Sequence, residues 1–427
     1  MHKRRKVIVV GAGLAGLATA YELAKKPHLE VHLVEQSNRV GGRVHSLDVK
    51  GRGVDLGGFI IFPWYTQFHH YLRELNLDTS TDALPKLDVY YDLDEDQNYV
   101  SSQNIPWSGW DFIRLVVKSV PHLLFNLDPT SPQLDRFKRR TVQRYLRDTI
   151  GEKRSGLFER YFAATSEGYC YGPISEYKVT FGIIAMAKSF IQGNLHTSTY
   201  FPQGTNTLAF ALADKFESMG GTIHLNKRVK DVKNHVLLTS KGKMEADAIV
   251  FAQTVDNKLH SKLLGIKVNC PYTEFVTAVI QTSKEPKVNG ASEWGAIFYE
   301  PKNDRSTQIL SVINLRTLYH STLKNHFTVN VVLKKTQKRI TESQVKSIVE
   351  KELAIILPGT KIKKVTTLEH WKQTMPITQE SLIETIHHHQ GKHGYYFAGD
   401  YLGVPSMEAA LGTGRRIAKH VSRDLSK

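Results

Sequence analysis

The chain has 427 residues, 41% hydrophobic and 23% charged, a globular composition that excludes a mostly disordered chain, a collagen-like chain and a small disulfide scaffold. At about 150 residues per domain the length predicts two or three domains, long enough to bury a large core. Lys and Arg number 57 against 41 Asp and Glu, a net charge of +16 that suits an anionic partner, but no run of basic residues is interleaved with stacking aromatics, which argues against nucleic acid.

Two cysteines, Cys170 and Cys270, lie outside any C-x-x-C pair. That pattern fits a reducing, cytoplasmic compartment and offers no metal site. Residues 1–6 are basic and 7–20 apolar, which imitates a secretory signal. The competing interpretation is a buried strand, a glycine turn and a helix. It is favoured because the glycines are spaced as a phosphate loop and the helix runs on past Ala20. No segment has the roughly 18 unbroken apolar residues that cross a bilayer.

In chain order, residues 6–10 (KVIVV) read as a buried strand. It runs into Gly11, Gly13 and Gly16: a tight turn, a close backbone approach to a pyrophosphate, and a close helix–strand contact. A helix over 14–26 follows, and its first residues, Leu14 and Ala15, aim free N–H groups at that phosphate. A second strand, 30–35, ends in Glu35, 19 residues after Gly16. This is the usual distance for a carboxylate that binds an unphosphorylated ribose, so FAD or NAD is expected rather than NADP.

Arg39, Gly41, Gly42 and Arg43 come next, two arginines and two glycines suited to clamping a long, doubly charged pyrophosphate. The glycine-rich turn Gly57, Gly58, Phe59, Ile60 lets the backbone approach a flat ring. With the fingerprint, the terminal acid, R-x-G-G-R and this turn in order, the sequence resembles the FAD-dependent superfamily of flavin amine oxidases, protoporphyrinogen oxidases and phytoene-type desaturases. The resemblance implies an α/β fold, α+β overall. A Rossmann-type FAD domain would be assembled from 1–80, 200–265 and 370–427. A substrate domain of helices and a mixed or antiparallel sheet would be interleaved at 81–199 and 266–369.

Within the first substrate segment, helices are predicted at 141–149 and 153–164, and five acids within 88–96 predict an exposed loop or hairpin. Residues 108–127 form an amphipathic helix after Trp107, with Arg114, Lys118 and His122 on a narrow basic face opposite Phe112, Val116, Val120, Leu123 and Leu127. Two interpretations stand: a helix packed on its own domain and kinked at Pro121, or one lying on the inner face of a membrane through 107–127. Further on, the turn 201–205 opens a helix over 206–219. The resemblance implies that Val229 contacts adenine through its backbone and that strand 246–252 returns to the FAD domain. Strands are predicted at 308–315 and 327–333, a solvated helix face near 334–339, and a solvated turn at His387, His388 and His389 rather than a metal site. The stretch from Ala398 to Gly414 (AGDYLGVPSMEAALGTG) resembles the family's closing motif, with Ala409 and Thr413 at positions where Gly and Ser are commoner. Gly399 and Asp400 would bind the ribityl or pyrophosphate chain. Ser406 and Met407 would open a helix whose N-terminus faces the flavin N1–O2 edge. Glu408 reads equally as a family feature or as an ordinary first-turn acid.

The function implied is FAD-dependent hydride transfer to flavin N5 from a small apolar or polycyclic substrate, as in porphyrinogen oxidases and carotenoid desaturases. An amine oxidase acting on a C–N bond is the alternative, and a non-catalytic flavin-binding protein the third. Amine oxidases of the family carry a lysine near N5; spacing from Lys284, Glu285 and Pro286 places that position at Ala278, which disfavours the amine reading. No cysteine lies beyond Cys270, so FAD is expected to be noncovalent. No catalytic side chain is assigned.

Overall fold

Five short parallel strands form the centre of the nucleotide-binding half. Their order is Tyr395–Phe397, Ala248–Phe251, Arg5–Val10, Leu29–Val34 and Thr222–His224. The structure, a computed structural model, describes residues 4–85, 88–92, 99–102, 104–106, 108–125, 140–176, 198–291, 294–299, 308–319, 322–333, 341–377 and 380–426. The β-branched first strand is apolar on both faces because both faces are covered. Val7 and Val9 pack with helices Leu14–Ala24, Asn206–Ser218 and Met407–Leu425, while Ile8 and Val10 pack under a three-stranded meander and helix Asn257–Leu264. The first and last helices lie in close contact, with Thr19 Oγ1 donating to the Gly414 carbonyl at 3.1 Å.

The second half is built on a seven-stranded sheet. Its order is Ile362–Trp371, Phe275–Thr282, His326–Val332, Ile309–Asn314, Ala296–Phe298, Val89–Tyr91 and Val100–Ser101. All its pairings are antiparallel except that between Ala296–Phe298 and Val89–Tyr91, so the sheet is mixed. Side chains alternate across a strand. On the strand Phe275–Thr282, second from the sheet edge, residues Val276, Ala278 and Ile280 pack with the helix Glu342–Ile356. Phe275 and Val279 face the nucleotide-binding half, packing with Val54, Leu56 and Ile60. Helices Gly109–Phe125, Val142–Ile150 and Gly156–Gly168 make a lobe whose core reaches Val404 in the closing motif.

The predicted elements 6–10, 30–35, 206–219, 246–252, 308–315 and 327–333 all form, with ends displaced by one or two residues. Four expectations are corrected. The acidic stretch after Asp88 forms the expected hairpin, Val89–Tyr91 pairing with Val100–Ser101, but its first strand is not exposed: Val89, Tyr91 and Asp92 are buried because Val89–Tyr91 also pairs with Ala296–Phe298 inside the sheet; residues 93–98 lie outside those described. His387, His388 and His389 form the last turn of a helix, Glu380–His389, rather than a turn. Ala278 points away from the nucleotide-binding half, as its strand alternation dictates. The helix Gly109–Phe125 does not bury Val116, which is exposed. Trp107, Leu127 and 334–339 also lie outside the described residues. Among the described residues no helix is long and apolar enough to cross a membrane.

Candidate functional site

The glycine turn after the first strand is stitched to the second glycine turn: Gly41 N–H donates to the Ala12 carbonyl at 2.8 Å, and Gly13 bridges Gly41. Gly11 has φ +102°, and a Cβ on Gly16 would lie 1.8 Å from the Gly11 carbonyl oxygen. Helix and strand can therefore approach only with glycine at that position. The helix that follows has no side-chain cap and no acid in its first turn, so the N–H groups at Leu14 and Ala15 stay available to an anion. Glu35 Oε2 accepts from Ala12 N–H at 2.8 Å, and Oε1 accepts from Ser37 N–H and Oγ at 2.8 and 2.9 Å. This carboxylate lines a small recess with Val10, Gly11, Arg228, Val229 and Gln253, where an adenosine would sit. Sequence reasoning had brought Gly11, Glu35 and Val229 to this place from three separate segments.

Arg43 spans the molecule. Its guanidinium donates to both Asp400 oxygens at 2.8 and 2.6 Å, and also to the Thr374 carbonyl. Burial pulls the guanidinium down, but the Asp400 charge outweighs it and keeps it cationic. Arg39 lies under the second glycine turn, donating weakly to the Val40 and Val44 carbonyls at 3.3 and 3.4 Å. Gly399 is held by Thr413, whose hydroxyl bonds its N–H and carbonyl, each at 3.1 Å. Thr413 thus does the work open to a serine at that position.

The two halves meet at the turn Gly57, Gly58, Phe59, Ile60. A Cβ on Gly58 would meet Met407 Sδ at 3.7 Å, which places the N-terminus of the closing helix against this turn. Ser406 caps that helix, accepting from Ala409 N–H at 3.1 Å. Glu408 turns out to serve a different helix. It is fully buried and accepts from Gln67 N–H at 2.8 Å, Phe68 N–H at 3.0 Å and Thr66 Oγ1 at 2.9 Å, capping Thr66–Glu74. Across from the turn, the Leu56 carbonyl receives Trp371 Nε1 and Thr277 Oγ1, both at 3.1 Å. Thr277 also pairs with Asn330 at 2.9 Å, and Asn330 with Ser311 at 2.9 Å. Sequence spacing pointed near Ala278, and the neighbour that touches the turn is Thr277. The alternation of the strand would have pointed to it, once it was known which face looks at the turn.

These parts define a class: a dinucleotide cradle of two glycine turns, an acid at the ribose, and a second half that closes a ring site. Residues 14–422 match the family described as flavin containing amine oxidoreductase, and the chain belongs to that family. The chain is similar to a 15-cis-phytoene desaturase from Glycine max, at 24% identity over 482 residues, covering 99% of this chain and 80% of that protein. It is also similar to a polyenoic fatty acid isomerase from Ptilota filicina, at 23% over 265 residues, covering 53% of this chain and only 50% of that protein. Among solved structures, a CLA-producing fatty acid isomerase from P. acnes superposes with TM-score 0.74 at 15% identity, over 98% of this chain and 99% of the other. Cyclohexylamine oxidase from Brevibacterium oxydans IH-35A gives 0.71 at 14%, over 99% and 100%. These two likenesses show the fold.

FAD is the cofactor of this family, and the residues present fit it. The glycine cradle leaves backbone N–H groups open, Glu35 and Val229 line one recess, and Gly58 lies against Met407 at the start of the closing helix. Arg43, paired with Asp400, ties the second glycine turn to the closing motif.

Proposed function

We propose that the protein is a noncovalent FAD-dependent oxidoreductase that takes a hydride from an apolar substrate, a polyene or a polycycle, reached from a membrane surface. The observation that carries this is the neutral character of the substrate-facing side. The position of the strand Phe275–Thr282 that looks at the flavin turn is Thr277, bonded to Asn330 and Trp371, and among the described residues no lysine is buried. Of the two buried carboxylates in the closing motif, Asp400 is neutralised by Arg43 and Glu408 is taken up by the N-terminus of Thr66–Glu74, so neither is left bare for a substrate ammonium. Neither cysteine lies within or shortly before the closing motif in sequence, and both thiols are buried, which supports a noncovalent cofactor. The desaturase and fatty acid isomerase relatives act on apolar chains by name, which supports the same substrate class.

Bound FAD supplies the hydride acceptor. The chain's residues do the rest. The N-terminus of the closing helix, opened by Ser406 and Met407, would supply positive potential to the negative charge of a reduced flavin, while the Arg43–Asp400 pair ties the second glycine turn to the closing motif. Thr277 and Trp371 fix the Leu56 carbonyl and hence the turn that follows. Tyr65 and Tyr401 are buried and Tyr171 is half-buried. Burial is the largest cause pushing their phenols up, and negative neighbours add to it, so they stay neutral near pH 7. The test is anaerobic mixing of the FAD-loaded protein with a detergent-dispersed polyunsaturated chain and, separately, with primary amines. Bleaching of the flavin by the apolar compound is expected. Bleaching by amines alone overturns the substrate class, and no bleaching by any compound favours the non-catalytic alternative.

A further inference from the structure

The helix Gly109–Phe125 inverts the usual distribution of side chains. Its buried side carries polar groups: Asp111 lies 3.7 Å from Arg154, and the Ser119 hydroxyl bonds that of Tyr145 at 3.1 Å. Its water-facing side carries Trp110, Ile113, Val116 and Val117, with relative exposures of 80%, 51%, 41% and 63%. Those are four of the seven large hydrophobic side chains exposed among the described residues, and scattered singly they would need no explanation. Here Trp110, Ile113 and Val117 stand at i, i+3 and i+7 and form one stripe. Arg114 and Lys118, both exposed, border it on the flank nearest the protein.

We propose that this stripe docks on an anionic lipid surface. A tryptophan beside aliphatic residues, edged by cations on one exposed helix face, matches the depth profile of a bilayer interface: apolar tip in the acyl boundary, charge at the headgroups. The charge complementarity is reinforced by the chain's net +16. On its inner side the helix contributes Leu115 to the apolar cluster that includes Val404, two residues before Ser406. The docked helix therefore stands over the apolar lobe that leads to the closing motif. This inference deepens the proposed function by naming the surface from which the apolar substrate arrives, and it is measured without turnover.

The experiment is flotation of the FAD-loaded protein with vesicles of phosphatidylcholine, with and without phosphatidylglycerol. Binding to the anionic vesicles at least tenfold above pure phosphatidylcholine is expected, weakening with salt. Each cation at such a surface is worth about fivefold in binding, so Arg114→Glu with Lys118→Glu is expected to lower it at least tenfold. The triple variant Trp110→Ser, Ile113→Ser, Val117→Ser is expected to lose vesicle binding while keeping its FAD and its anaerobic bleaching by dispersed substrate. In the parent, brominated acyl chains are expected to quench the emission that Trp110→Phe removes. Unchanged flotation of the triple variant, unquenched Trp110, or a dimer that the triple variant dissolves while vesicles stay unbound would each overturn the proposal. Lost bleaching with intact flotation would instead contradict the proposed reaction and leave the docking face standing.

Discussion

Glu35 and Asp55 are buried carboxylates that do opposite things. Glu35 is fully used, accepting from Ala12 and Ser37 while facing the adenosine recess. Replacing it with Gln keeps its shape and removes its charge. Because hydrogen bonds to a charged group are worth about 1.5–3 kcal/mol, Glu35→Gln is expected to weaken FAD binding at least tenfold, read by ultrafiltration of free flavin, and, since one amide oxygen cannot accept from both Ala12 and Ser37, to lower the apoprotein's thermal midpoint as well. Asp55 accepts from Ser46 Oγ at 2.6 Å and Thr205 N–H at 2.9 Å through one oxygen. Burial, only partly offset by those bonds, pushes its carboxyl up to about 7 from an ordinary 3.8. An acid raised in the folded state favours folding fully at low pH. That contribution declines as pH rises from the unfolded value through the folded one. Stability is therefore expected to fall between about pH 4 and pH 7, and Asp55→Asn to flatten that slope in urea titrations. Residues of the first kind were legible in the sequence, since a glycine or acid at fixed spacing answers to backbone geometry alone. Asp55 was not legible in this way, because its partners, Ser46 nine residues before it and Thr205 150 residues after it, meet it only in the fold.

At the scale of elements, the strands of the nucleotide-binding half were legible because parallel strands buried on both faces read as unbroken β-branched runs. The place of Val89–Tyr91 inside the sheet was not, because its partner Ala296–Phe298 lies some 200 residues on and its flanking acids read as an exposed loop or hairpin. The helix Gly109–Phe125 was found, but periodicity alone could not say which face the lobe would cover. Glu408 was undecided for a related reason: its partners are backbone N–H groups of another helix. Capping contributes about 1–2 kcal/mol, so Glu408→Ala is expected to destabilise the protein by about that amount or more, given its full burial, as read by chemical denaturation. The strand Phe275–Thr282 gives a sharper test. Ala278 lies in the apolar core against the helix Glu342–Ile356, so Ala278→Lys is expected to cost several kcal/mol, the typical penalty for a buried unpaired charge, without creating amine turnover. A gain of amine oxidation in that variant would mean that Ala278, not Thr277, faces the cofactor.

For the molecule as a whole, the cofactor site draws together residues near both ends of the chain. Arg43 and Asp400 are 357 positions apart, yet they form a two-bond ion pair, and removing Asp400 leaves a partly buried cation. Asp400→Ala is expected to destabilise the apoprotein by about 2–3 kcal/mol and to abolish FAD retention on a sizing column. The interleaved plan was suggested by the order of the motifs in the sequence. The apposition of Thr277, Trp371 and Leu56 across the two halves was not, since it depends on how one sheet face meets one turn. The central claim is that this cradle holds FAD without a covalent bond. The most direct measurement is the visible spectrum of the purified protein before and after acid precipitation. The flavin spectrum is expected in the native protein and, after precipitation, in the supernatant. Colour kept in the pellet, or a colourless protein that FAD cannot reconstitute, would contradict it.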